Sequence, residues 1–173
     1  MGTKGRELAP PELLRALGSA AEAIVRFERG ADPRHLDEAA SIFERVIGEP
    51  QFGVVEPGLG LATVQSTAMT YVQRYLATGQ ARELDRAVEL LRSALEGKLF
   101  DIVSAPPDVV VLCLTTLGSA LFQRYAASGD QDDLDEATAA SRDAVDLAGP
   151  SSPYLAGLLN NLASMQRALR AYR

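Results

Sequence analysis

Three stretches of this chain can be laid on one another without a gap. They are RFERGADPRHLDEA (Arg26 to Ala39), RYLATGQARELDRA (Arg74 to Ala87) and RYAASGDQDDLDEA (Arg124 to Ala137). Each opens with Arg and an aromatic residue and passes a Gly-containing turn. Each then reaches a Leu-Asp pair whose Leu stands ten residues after the Arg, with an Ala two residues beyond the Asp. The copies lie 48 and 50 residues apart. Matched positions at nearly equal spacing are the mark of a repeat architecture, in which one supersecondary unit recurs and no unit buries its apolar face alone.

Each unit reads as two helices. In the third, Pro106 and Pro107 suit a helix start, because the first turn has no intrahelical use for its N–H groups. Val110, Leu114, Leu117 and Leu121 then recur at helical spacing, with Gly118 beside them for a close neighbour. Ser128-Gly129 ends that helix, and the acids of Asp130 to Glu136 suit the start of the next. Its apolar stripe is Leu134, Ala137, Ala140, Ala144 and Leu147, and Gly149-Pro150 stops it. Upstream, the same grammar predicts helices from Pro10-Pro11 to about Arg29, Pro33 to Ile47, Pro57 to Thr78 and about Ala81 to Leu95. Tyr154 to about Ala171 reads as the first helix of a fourth unit whose second helix is absent. GKLFDIVSA (Gly97 to Ala105) is short and apolar, and is expected as a helical turn on the core. The expected fold is therefore all-α, a stack of about three and a half antiparallel hairpins with seven main helices. The units are about 10–50, 57–97, 106–149 and a half unit 153–171, after a flexible N-terminus over 1–9.

Composition excludes several classes. The 173 residues carry 23 acidic and 17 basic side chains, a formal net charge of −6, which disfavours nucleic acid. One Cys and one His cannot form an internal disulfide or a zinc site of the usual kind. The longest uncharged stretch, Leu147 to Gln166, holds Pro150, Pro153, Asn160 and Asn161, so no membrane span is expected there. The N-terminal MGTKGRELAPPELL lacks the apolar core of a secretory signal, and a cytoplasmic location is expected.

With these residues in view, the pattern resembles the tetratricopeptide repeat. That family pairs antiparallel helices through a small residue in each, here Ala20, Ala68 and Gly118 in the first helices and Ala39, Ala87 and Ala137 in the second. Pro50 and Pro150 fall near the unit ends, and the middle unit has no Pro there. The period exceeds the roughly 34 residues usual for the family. The segment LGSALFQRYAASGDQDDLDEATAASRDAVDLAGPSSPYLAGLLNNL, Leu117 to Leu162, is similar to a long-period subgroup found in multidomain bacterial, especially actinobacterial, proteins. Arrays of that subgroup often accompany caspase-like (CHAT) peptidase or nucleotide-binding signalling domains, neither of which is present here. The resemblance implies a right-handed α-solenoid. The function expected of it is that of a non-catalytic interaction or scaffold module taking a protein or peptide in a concave groove, either as a fragment or regulator of a larger signalling protein or as a small stand-alone adaptor. The alternative is a small-molecule-binding or enzyme-assisting protein.

Several residues invite chemistry. Arg26, Arg74 and Arg124 stand eleven residues before Asp37, Asp85 and Asp135; an Arg-to-Asp contact, or separate capping, closing each hairpin is expected because it recurs in every unit, with a ladder of charges presented to a ligand as the rival. Phe27, Tyr75 and Tyr125 are expected to pack between hairpins. His35 and Cys113 lie in different units, and the apolar neighbours of Cys113 argue for a buried, unreactive thiol. Asp130 to Asp146 holds seven acids and one Arg, but fails the calcium-loop pattern at its sixth and twelfth positions. It reads as a solvated helix face, with a docking patch for a basic segment as the rival. No cofactor or metal site and no catalytic set is expected. The partner-binding candidates, polar groups on first helices, are Gln73, Gln123, Asn160, Asn161 and Arg167, with Gln65 beside them. The half-apolar last helix is expected to seek cover, most simply in a homodimer.

Overall fold

Prolines, carboxylates and glycines cut this chain into helices close to where the sequence places them. The computed structural model describes residues 11–100 and 102–172; the expected flexible stretch 1–9 and Pro10 lie outside them. Among the described residues there are seven α-helices, one short 3-10 helix and no strand. The α-helices are α1 (Pro11–Gly30), α2 (Pro33–Gly48), α3 (Pro57–Thr78), α4 (Arg82–Leu95), α5 (Pro107–Ser128), α6 (Gln131–Ala148) and α7 (Leu155–Tyr172).

Side-chain carboxylates satisfy the first N–H groups of three helices. Asp32 accepts from the Arg34 N–H at 3.0 Å, Glu56 from Leu59 at 2.9 Å and Asp130 from Asp132 at 3.1 Å. The first helices of the second and third hairpins end on Gly79 and Gly129, at φ +70° and +76°. Each of these glycines donates its N–H to the carbonyl of the repeated Tyr, Tyr75 or Tyr125, at 2.7 Å. The first hairpin differs by one residue. Gly30 remains helical, and Ala31 takes the left-handed cap at φ +52°, donating to Phe27 at 2.6 Å.

Two expectations about local structure are corrected. Residues 97–100 and 102–105 form turns and bends rather than a helical turn, and Phe100 among them is buried. The extra helical turn lies instead at Pro50–Val54, where Phe52 is buried and meets the Phe100 ring edge-on at 5.8 Å. Phe100 in turn lies against Gly60, where an added Cβ would stand 3.1 Å from the ring. The apolar stripes also shift. On α5, Val111, Cys113, Leu117 and Leu121 are buried while Val110 and Leu114 are only half-buried, and Leu147 of α6 is exposed.

Successive helices pack in chain order from α1 to α7, and α3 also lies on α5, which touches α7. The repeated residues make these contacts. Leu36, Leu84 and Leu134, the Leu of each Leu-Asp pair, are fully buried, each contributing roughly 2 kcal/mol of apolar burial. Ala20 and Ala68 of the first helices, and Ala39, Ala87 and Ala137 of the second, are fully buried too. At Gly118 a Cβ would stand 2.7 Å from Ser141 Oγ and 3.2 Å from the Ala137 carbonyl, so α5 and α6 touch almost backbone to backbone. Tyr75 and Tyr125 are half-buried against the main core, and Phe27 is half-buried as well. By length and composition α5 is apolar enough to cross a membrane, but it packs on four helices and much of its surface is buried there.

Candidate functional site

The repeated Arg residues form a ladder between hairpins, and its connectivity differs from the expected clasp. Arg124 donates to Asp133 at 2.8 Å, within its own hairpin, and to Asp85 of the preceding hairpin at 3.0 Å. Arg74 repeats this, meeting Glu83 of its own hairpin at 3.2 Å and Asp37 of the preceding one at 3.1 Å. The Asp of the first two Leu-Asp pairs, Asp37 and Asp85, therefore holds the next hairpin. The acid that closes the second and third hairpins stands just before the Leu. Glu83 and Asp133 are almost fully buried, whereas Asp37 and Asp85 are mostly exposed. Hydrogen bonds from Arg124 to Asp133, and secondarily to Asp85, raise the Arg124 pKa and keep it charged.

In the first hairpin the buried-acid position is His35, so Arg26 turns to the exposed Glu38 at 2.7 Å. The signal was present in the sequence as the column His35, Glu83, Asp133 immediately before the repeated Leu. Helical phase explains it. On the second helix the residue before the Leu faces its own first helix, and the residue after it points outward, towards the neighbouring hairpin.

A second recurring contact joins consecutive second helices. Glu44 of α2 pairs with Arg86 of α4, and Arg92 of α4 pairs with Glu136 of α6. Glu44 and Arg92 are 48 residues apart, Arg86 and Glu136 are 50 apart, so the same two positions carry the pair with its charges reversed. Thus the acid-rich start of α6 is only partly a solvated face. Asp133 and Glu136 are engaged in structural ion pairs, while Asp132, Asp135, Asp143 and Asp146 are exposed.

The first helices carry the five partner-binding candidates. Gln73 on α3 and Gln123 on α5 are half-buried at equivalent positions. On α7, Asn160 and Arg167 are exposed and Asn161 is half-buried. Arg167 donates to Ser164 Oγ at 2.9 Å, and the Asn160 carbonyl accepts from Ser164 at 3.0 Å. No hydrogen bond or ion pair joins any two of the five, so they form a spread of separate polar groups rather than one constellation. Gln65 instead ties α3 to α5 through Thr116 at 3.3 Å. Exposed apolar side chains lie among them on the same helices: Met69, Leu76, Leu112 and Leu159.

A cavity of about 370 Å³, open to solvent, lies between α2 and α4. Ile47, Leu90 and Leu99 give it apolar walls, and three of its polar groups, Tyr71, Glu44 and Arg86, serve one another. The Tyr71 hydroxyl donates to Glu44 at 3.0 Å, Arg86 pairs with Glu44, and the Arg86 guanidinium lies 4.4 Å over the Tyr71 ring. Burial raises the Tyr71 pKa and keeps the phenol neutral.

The thiol of Cys113 is fully buried beside the Leu61 carbonyl at 3.6 Å, and burial pushes its pKa up to about 12. That is the opposite of what a nucleophilic thiolate needs. His35 Nδ1 is buried without a hydrogen-bond partner. Among the described residues no three His, Cys, Asp or Glu side chains are grouped so as to hold a metal ion. No family model, curated protein or solved structure matches this chain.

Proposed function

We propose that this chain is a right-handed tetratricopeptide-like stack of hairpins that serves as a non-catalytic protein-interaction module. Its first helices, α3, α5 and α7, line a groove that takes an extended peptide or a partner helix. The observation that carries this reading is the composition of that face. Met69 and Leu112 stand exposed on neighbouring helices, interleaved with the amides of Gln73 and Gln123, and α7 adds the amides of Asn160 and Asn161. Apolar anchors with amides between them suit a peptide, whose side chains fill the apolar spots while its backbone meets amide donors and acceptors. The sequential packing and the repeated small-residue contacts support the stacked-hairpin architecture. The small-molecule reading is weaker, because the cavity between α2 and α4 is open and two of its three charged groups, Glu44 and Arg86, pair with each other.

A random peptide library displayed on phage and panned against the protein tests this. Enriched peptides are expected to lose binding to Leu112→Glu and to weaken with Gln123→Ala. Failure to enrich, or enriched peptides indifferent to both substitutions, overturns the proposal.

A further inference from the structure

We propose that the outer end of the third hairpin, α6 with the uncovered face of α7, docks one amphipathic helix of a partner protein whose carboxylate faces Arg142. The proposal rests on the stacked-hairpin reading above, at a surface separate from the first-helix groove.

The chain supplies its own template for this surface. At one position of the second helix, Glu44 in α2 and Arg92 in α4, a charged side chain reaches the next second helix and finds the opposite charge there. Fifty residues after Arg92, the same position of α6 is Arg142. Arg142 is exposed and makes no ion pair among the described residues. A neighbouring row is open as well. Asp37 and Asp85 each hold an Arg of the following hairpin, whereas Asp135 at the equivalent position meets only the Gln131 amide at 3.4 Å. Two independent rungs that are closed at both preceding junctions are therefore unfilled at this one.

The apolar half of the surface agrees. In the three complete hairpins a second helix covers the first through a buried Leu and a buried Ala three residues later: Leu36 and Ala39, Leu84 and Ala87, Leu134 and Ala137. Helix α7 rests on α6, with Met165 in contact with Ser141, but has no such cover among the described residues. Leu159 is 47% exposed, and Leu155, Leu162 and Leu169 are half-buried. The occupant's chemistry follows: a helix with Leu and Ala three apart on its inner face, and a Glu or Asp that meets Arg142. A second copy of this chain offers no free helix of that kind. The side chains at the matching position of α2, α4 and α6 are Glu38, Arg86 and Glu136, already paired with Arg26, Glu44 and Arg92.

A fluorescein-labelled synthetic peptide of residues 130–149 tests the surface, because it carries the Leu134, Ala137 and Glu136 pattern as a free helix former. Fluorescence anisotropy is expected to show saturable binding that weakens with added salt. Glu136→Lys in the peptide, or Arg142→Glu in the protein, should each weaken binding by roughly three- to ten-fold, the range of a partly desolvated ion pair. Combining the two changes should restore it. Absence of saturable binding, or binding unaffected by Arg142→Glu, overturns the proposal. So does binding lost with Leu112→Glu instead, which assigns the peptide to the first-helix groove. Sedimentation velocity of the protein alone adds a further check: a concentration-dependent dimer abolished by Leu159→Glu assigns the face to a second copy and overturns it too.

Discussion

Ala31 shows how a single side chain departs from its repeat. It performs the cap that Gly79 and Gly129 perform, and its Cβ makes the left-handed backbone unfavourable. Ala31→Gly relieves that strain and gives back part of the gain as unfolded-chain entropy. The net expected is a stabilisation of about 0.5–1 kcal/mol, read from the urea midpoint, while Gly79→Ala should lose about 1 kcal/mol. Cys113 gives a second prediction at this scale. Its thiol stays protonated to about 12 in the folded chain, against an ordinary value of 9.0. Between those values the folded state holds a proton that the unfolded state has lost. Stability should therefore be full below 9.0 and fall as pH rises towards 12, and the raised Tyr71 pKa acts in the same direction. In native protein at neutral pH the thiol should not react with a maleimide, and urea should release it; rapid labelling without denaturant would contradict this. The apolar neighbours of Cys113 made that burial legible in the sequence. The strain at Ala31 was less so, because Gly30 occupies the turn one residue early and hides which residue carries the positive φ.

At the level of the helix, glycine means opposite things at two places in this fold. Gly18 in α1 has no atom within 4 Å of the Cβ it lacks, so Gly18→Ala gains helix propensity freely, about 0.5–1 kcal/mol. Gly118 in α5 has a backbone carbonyl and Ser141 in that space. There, the same substitution has to push two helices apart, and a net loss of about 1–2 kcal/mol is expected after the propensity gain. Equal urea shifts for the two variants would contradict the close approach of α5 and α6. Helix boundaries were readable because Pro, Gly and capping acids act within a few residues of where they stand. The connectors were not. The buried faces of Phe52 and Phe100 are set by each other, 48 residues apart, and no local pattern announces that pairing. Helical phase failed in a similar way on α5, where packing on several helices buries residues all round and the stripe of Val110 and Leu114 loses its meaning.

Across the whole molecule, the Arg ladder joins hairpins that also meet through small and aliphatic side chains and through the Glu44–Arg86 and Arg92–Glu136 pairs. Its parts carry unequal weight. Asp85 is 63% exposed and its contact with Arg124 is screened by water, so Asp85→Asn should change stability by less than about 1 kcal/mol. Asp133 is only 5% exposed, and removing its guanidinium leaves a carboxylate buried without compensation. Arg124→Met should therefore lose about 3 kcal/mol, most of which the double variant Arg124→Met/Asp133→Leu should recover, because the penalty lies in the orphaned charge and not in the lost pair. Urea unfolding of the two singles and the double forms a cycle that checks this. A double variant as unstable as Arg124→Met would mean that Asp133 is not desolvated. The sequence displayed every member of this ladder and its period, yet pointed to the wrong acid, because distance along a chain does not say which way a helix faces. The repeat supplies what one copy lacks: Glu83 and Asp133 are both acidic where helical phase demands it, and His35 marks the one hairpin whose Arg has to find its partner, Glu38, at the surface.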